Sequence, residues 1–320
     1  MTRIAATVLA TCGLALVAAL AALGSARSAA LPSAAPAGLA LQVGAELWPY
    51  RIASASLLPG ERLQLKPRGA DGPLHLRASQ GSVVRLRQGG WGFEAPREPG
   101  LAVLELRRAS GELAMSIHAF VMVPAARVRD GALNGYRIGD YPPRPAEDRG
   151  LYEPPAGFVE VTAGLEEVPV SPHFRLGQFL CKQAGLHPKY LVLRPRLLLG
   201  LEAIVESLDL EGVGLAVMSG YRTPEYNREI GNVARSRHLW GDAADVFLDL
   251  EPLDGRMDDL NGDGRIDLLD ARWLAARIGS VPAFREGQSF AGGLAAYPAA
   301  EAHGPFVHVD LRGQTRRWGE

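Results

Sequence analysis

The chain has 320 residues, 34 of them Lys or Arg and 35 Asp or Glu, for a formal net charge of −1. That length leaves room for two domains of ordinary size plus extra segments. A balance this close to neutrality excludes the dense basic surface of a nucleic-acid-binding protein and favours a neutral or protein-like partner over a polyanion.

Met1-Thr2-Arg3 precedes an apolar run from Ile4 to Leu23 and then small residues through Ser33. A positive start, an apolar stretch and small residues are the order of a secretory signal, with Ser28-Ala29-Ala30 or Ala26-Arg27-Ser28 as cleavage points. The run is also long enough to stay as a membrane anchor. Residues 1–30 thus read as a signal peptide or anchor, and the protein as exported to the periplasm or cell envelope. Cys12 lies inside the run, so cleavage would leave Cys181 alone and no internal disulfide. With its apolar neighbours, Cys181 reads as a small core residue.

Residues 31–40, rich in Ala and Pro, read as a linker. From Leu41 to Val123 short runs alternate with period two: Arg62 to Lys66, Leu74 to Arg77, Val84 to Arg87 and Val103 to Arg107. Pro59-Gly60, Asp71-Gly72-Pro73, Gly89-Gly90 and Pro99-Gly100 separate them. This predicts an all-β, Ig-like antiparallel sandwich over 41–124. His75 and His118 fall within its strands and read as structural, leaving the region to space the rest of the chain or to bind a partner. Residues 125–169, dense in Pro, Gly and Arg, read as an extended connector packed on the next domain through its tyrosines.

In residues 170–320, Ser171 caps a predicted helix that opens on Pro172 and runs to Ala184. A second helix follows from Pro195 through Ser207, with Leu197, Leu198, Leu201, Ile204 and Val205 on one side. Gly214 to Met218 is a buried strand that delivers Ser219 to Arg222 at its end. Two helices, a strand and then a polar cluster make this domain α+β.

The polar cluster carries His238 and Asp245, with small Ala243 and Ala244 between them. Near the C-terminus Phe306-Val307-His308-Val309-Asp310 reads as a strand that puts Phe306, His308 and Asp310 on one face. Each histidine alone is more often structural. Together, two imidazoles and a carboxylate are what zinc takes in a hydrolytic site with a position left for water. Asp310 is placed to hold a ligand imidazole.

Ser236-x-His238-x-x-Gly241-x-Ala243-x-Asp245 resembles the signature of the LAS metallopeptidases. These are zinc D-Ala-D-Ala carboxypeptidases and peptidoglycan endopeptidases, to which hedgehog signalling domains are structurally related. Ser219-Gly220-Tyr221-Arg222-Thr223-Pro224 with Tyr226-Asn227, Phe306 to Asp310 and Ser171 to Phe174 resemble the family too, in the family's order. The resemblance implies a hedgehog/D-Ala-D-Ala peptidase-like fold with a small antiparallel sheet over residues 170–320. It also implies zinc on His238, Asp245 and His308, with Arg222 stabilising the tetrahedral intermediate. Ser219, Tyr221 and Ser236 would stand around site or substrate, and the implied substrate is peptidoglycan peptides. Many members carry Glu or Asp three residues before the last ligand; here that residue is Pro305. Others use a His five residues before it, which makes His303 the expected general base and acid, with Glu301 or zinc alone as the alternatives. The bond cut, by carboxypeptidase or endopeptidase, stays open, and the alternative to an enzyme is a zinc-bearing wall-binding scaffold without turnover. Oligomeric state is not legible.

An insertion over 254–278 carries Asp259-x-Asn261-x-Asp263-Gly264-x-Ile266-Asp267-x-x-Asp270. That is a calcium-loop spacing, with oxygens from Asp259, Asn261, Asp263, the Arg265 carbonyl, Asp267 and Asp270. Ile266 is expected to anchor the loop to the core, and residues 272–278 to leave it as a helix with Trp273, Leu274 and Ile278 inward. Ending on Asp and lacking a second loop, it resembles a dockerin half-site more than a sensor hand, so the implied role is structural.

Overall fold

The computed structural model describes residues 38–147, 150–208 and 214–319. The signal or anchor over 1–30 and most of the 31–40 linker lie outside them. No helix among the described residues is long and apolar enough to cross a membrane.

The amino-terminal region is mainly β. One sheet has the order Glu46–Trp48, Ala40–Val43, Arg62–Arg68, Trp91–Glu94, Ser82–Arg85. A second has the order Ile52–Leu57, Leu113–Val121, Gly100–Arg108, Leu74–Ala78. Period two does what the sequence suggests: Ala102, Leu104 and Leu106 point inward, with Val103, Glu105 and Arg107 between them less buried. Leu41, Leu65 and Phe93 from one sheet and Leu104, Leu106 and Ile117 from the other belong to one apolar cluster. The pairing is not wholly antiparallel. Ile52–Leu57 runs parallel to Leu113–Val121, since the long stretch between them can cross over, as a hairpin cannot.

The stretch predicted as an extended connector is instead structured. Val123–Pro124 pairs with Gly157–Val161, which pairs with Lys189–Leu191, and Ala132–Leu133 forms a hairpin with Tyr136–Arg137. Its tyrosines do pack on the next region: Tyr136 lies 5.8 Å from Tyr190, and Tyr141 and Tyr152 both lie edge-on to Trp240.

The helix expected from Pro172 to Ala184 does not form; only a 3-10 turn at Leu176–Phe179 is present. Buried Glu202 takes the local donors instead: Ser171 Oγ at 2.5 Å, the His173 amide at 2.9 Å and His173 Nδ1 at 2.6 Å. Val170 and Ser171 amides both turn to the Phe174 carbonyl, so tertiary bonding overrides the capping signal. Helix α1, Pro195–Ser207, does form, with Pro195 in its first turn and Leu197, Leu198, Leu201, Ile204 and Val205 buried.

The sheet that matters for function has the order Gly214–Ser219, Ala243–Asp249, Phe306–Asp310, Gly293–Tyr297, Arg316–Trp318. Its neighbours are antiparallel except the last pair, which is parallel. Helix α2, Pro224–Glu229, starts on Thr223, whose side chain accepts the Tyr226 amide. Helix α3, Leu268–Ser280, packs on the sheet through Ala271, Leu274 and Ile278, with Trp273 half-buried.

Candidate metal centre

Asp245 and His308 sit directly opposite each other on adjacent antiparallel strands. In such a pair the two side chains emerge on the same face of the sheet. His238 comes from a 3-10 turn, Arg237–Trp240, that ends on Gly241 at φ 66°. A Cβ on Gly241 would also lie 2.3 Å from the Val192 carbonyl oxygen, so the turn returns to the sheet only with glycine there. The turn is further clamped by the buried ion pair of Arg237 with Asp242 and by an Arg237 hydrogen bond to the Leu151 carbonyl at 2.6 Å.

His238 Nε2, Asp245 Oδ1 and His308 Nδ1 form a triangle with sides of 3.1, 2.9 and 3.2 Å. All three residues are buried. The tautomers follow from the outer partners. His238 Nδ1 faces the Gly220 carbonyl at 2.6 Å and must donate to it, which leaves a lone pair on Nε2. His308 Nε2 donates to Asp310 Oδ2 at 3.2 Å, leaving its lone pair on Nδ1. Three acceptors therefore converge at one buried point, an arrangement that holds together only around a positive charge. Zinc bonds of 2.0–2.1 Å in a tetrahedron need ligand atoms about 3.3 Å apart, close to the observed sides. Two nitrogens and one oxygen suit zinc better than the all-oxygen shells of calcium or magnesium.

Burial keeps His238 neutral by lowering its pKa, the nearby Arg222 and His308 acting in the same sense. His308 behaves oppositely. Burial alone would lower it, but its hydrogen bonds to Asp245 and Asp310 outweigh this and hold it at about 9. For Asp245 burial works upward and the two imidazoles downward; the imidazoles win, and it stays well below the carboxylate range. Without a metal, then, one proton on His308 Nδ1 occupies the centre of the triangle, and a cation must displace it. Zinc affinity is expected to rise about tenfold per pH unit up to about pH 9 and then level off, as read by competition with a chromophoric chelator. Metal-free stability runs the other way. A raised histidine pKa stabilises fully below its unfolded value, and that contribution is lost as pH climbs through about 9.

Residues 172–252 match the family model described as Peptidase M15, the D-Ala-D-Ala carboxypeptidase or LAS-type family. This segment is a Peptidase M15 domain. No curated protein and no solved structure matches the chain. The match includes Arg222, His238 and Asp245 and ends before His308, which strand pairing brings to the M15 segment.

Around the three converging residues the chain supplies a second ring of contacts. Asp310 is completely buried and is held by Arg312 through Nε at 2.8 Å and Nη2 at 2.5 Å, and by the Gly293 amide at 3.0 Å. Arg222 bonds Asp245 Oδ2 through Nη2 and Ser219 Oγ through Nε at 3.0 Å. Its remaining nitrogen, Nη1, has no protein partner among the described residues, and Arg222 lines a cleft of about 970 Å3 over the ligands. Ser219, Ser236 and His303 line the same cleft. Tyr221 does not: it is buried behind the site, its hydroxyl 3.0 Å from that of Tyr141, so its part is to hold the loop after Ser219 rather than to meet substrate. His303 stands half-buried with its ring edge on Phe306; its Nδ1 lies 2.8 Å from the Gly304 carbonyl, which leaves Nε2 as the free acceptor. Glu301 is exposed and does not line the cleft.

The Asp259–Asp270 loop forms, but it does not draw three of its carboxylates to one point. Among the described residues the one such group is His238, Asp245 and His308. Asp259 accepts the amides of Gly262, Asp263 and Gly264; Asp263 accepts that of Arg265; Asp267 accepts that of Leu269; Asp270 accepts those of Leu260, Asn261 and Asp267. Asn261 bonds the Asp263 amide through Oδ1. Ile266 is not a core anchor, being 51 % exposed, because the single loop offers no partner loop to cover it. Asp270 and α3 do the anchoring instead.

Proposed function

We propose that the protein is a zinc-dependent peptidase acting on peptidoglycan, cleaving D-amino-acid-containing stem peptides or cross-links. The observation that carries this is the triangle of three converging acceptors, two of them in the M15 segment and the third brought to it by strand pairing, each fixed from behind by its own hydrogen bond. His238, Asp245 and His308 would hold the zinc, which would supply Lewis acidity and a water acidified to a pKa of about 7. Arg222 has two nitrogens committed to Asp245 and Ser219, so the third is already oriented when the scissile carbonyl gains negative charge. Such a preset donor needs no reorganisation as charge develops. His303 takes the proton of the attacking water at Nε2 and delivers it to the leaving amine. The test is elemental analysis with digestion of defined muropeptides, products read by mass. Zinc at one per chain with release of D-Ala or cleaved cross-links supports the reading; zinc without hydrolysis leaves a binding scaffold.

The role of His303 has its own test. His303→Ala is expected to lower kcat by about 10²–10⁴-fold with zinc content unchanged. Near-normal turnover would remove it from the mechanism.

The signal-like amino terminus supports an exported, envelope-located protein, with the mainly-β region as an Ig-like sandwich that spaces the peptidase or binds a partner. The acidic loop is read as a structural calcium turn. If so, calcium at a hundredfold excess over Kd stabilises the fold by about 2.7 kcal/mol and raises Tm, an effect lost in Asp263→Ala. A Tm indifferent to calcium would make the loop a self-capped turn.

A further inference from the structure

A net charge of −1 hides a local imbalance. The cleft over the metal centre is lined by seven Lys or Arg side chains and a single acid, Asp245. Three of the seven are neutralised within the fold: Arg222 by Asp245, Arg237 by Asp242 and Arg312 by Asp310. Lys182, Arg235, Arg316 and Arg317 are exposed and form no ion pair among the described residues. The field of Glu286 reaches Arg316 and Arg317 and that of Asp310 reaches Arg317, but Glu286 is spent on the Thr315 amide and Asp310 on His308 and Arg312, and neither forms an ion pair with the two arginines. Arg317 is not a loose surface chain, since its Nη1 is pinned to the Gly292 carbonyl at 3.0 Å and the Arg316 carbonyl at 2.9 Å.

The sheet order decides where these charges stand. Arg316 and Arg317 belong to the strand at one edge, while Asp245 and His308 lie on two inner strands. Lys182 shares the cleft wall with Met218, from the strand at the opposite edge. The cationic groups therefore flank the metal centre on both sides. Like charges gathered in a concavity repel one another and focus a positive field into it, so the arrangement favours an anionic guest.

We infer that the cleft receives a peptide lying across both sides of the metal centre with a carboxylate toward each end, one met by Arg316 and Arg317 and the other by Lys182. This rests on the peptidase reading of the same site and deepens it. The substrate is an acidic peptide cut internally, because a cation waits beyond the metal in both directions.

The test uses the zinc-loaded full chain and a six-residue alanine peptide, made in L- and D-forms, with glutamate at the second position, the fifth, both or neither. Binding is read by calorimetry and hydrolysis by mass. The doubly acidic peptide is expected to bind about tenfold or more tighter than the neutral one for each carboxylate, with the advantage shrinking as salt rises. Arg316→Ala with Arg317→Ala should erase the preference for glutamate at one position and leave the other, and Lys182→Ala should do the converse. Equal binding of neutral and acidic peptides, or variants that weaken all four alike, would overturn the inference. Selective binding without hydrolysis would sink the internal cut together with the peptidase reading and leave only a seat for an acidic peptide, while hydrolysis without selectivity would overturn the carboxylate seats and leave the peptidase reading standing.

Discussion

Asp245→Asn is expected to abolish hydrolysis and zinc binding and, independently of zinc, to destabilise the fold by about 3 kcal/mol. Asp245 is 2 % exposed and serves three groups at once, His238 and His308 through Oδ1 and Arg222 through Oδ2, and Oδ1 is also the atom that would bind a metal. An amide of the same shape keeps the volume but not the charge. Arg222 is then left as a cation in an almost closed site with only Ser219 Oγ for company, and unpaired buried charge is costly. Urea unfolding in the presence of a chelator isolates this effect from lost metal. A variant that melts like the parent under those conditions would show that Asp245 and Arg222 are not paired in the folded protein. Asp310→Asn gives a useful contrast. Asp310 would act on a bound metal only through its hydrogen bond with His308 Nε2, so zinc affinity should fall by about 10–100-fold without being lost.

Arg222→Lys is expected to lower kcat by about 10²–10³-fold while zinc stays bound at full occupancy. A lysine carries the charge but not the fork. It cannot bond Asp245 and Ser219 and still aim a third donor into the cleft, as the guanidinium does with Nη2, Nε and the free Nη1. Arg222→Ala should lose a similar factor, with little further change in KM if the contact forms only as charge develops on the carbonyl. Loss of zinc from either variant would mean that Arg222 supports the ligand Asp245 rather than the reaction.

The parts legible in the sequence were those written locally. The seven-residue step from His238 to Asp245, small residues between them, and alternation from Phe306 to Asp310 are enough to bring out the three residues that converge as a candidate metal group and to place His308 and Asp310 on one face. The helix over Pro195 to Ser207 announced itself by its proline and its apolar spacing. What escaped was carried by groups without a sequence signature. The Gly220 carbonyl fixes the tautomer of His238, and a carbonyl looks the same at every position. Arg312 holds Asp310, yet in the sequence it is one arginine among many. The lost helix after Pro172 failed for the same reason, since Glu202, 29 residues on from His173, claims its first donors. Overall charge points to a protein-like partner, in keeping with the M15 match, but near neutrality for the chain says nothing of how the cations are shared out.

Helix α1 faces two ways: Leu197, Leu201 and Ile204 sit in the core of the M15 region, whereas Leu199 belongs to the core of the β region, with Tyr50 reaching Glu206 nearby at 3.3 Å. A fragment trimmed to start near residue 170 would carry that helix with one flank stripped bare, and it should be sticky and short-lived in solution. Heating the intact chain should couple the melting of the two regions, for each loses this shared flank when the other unfolds.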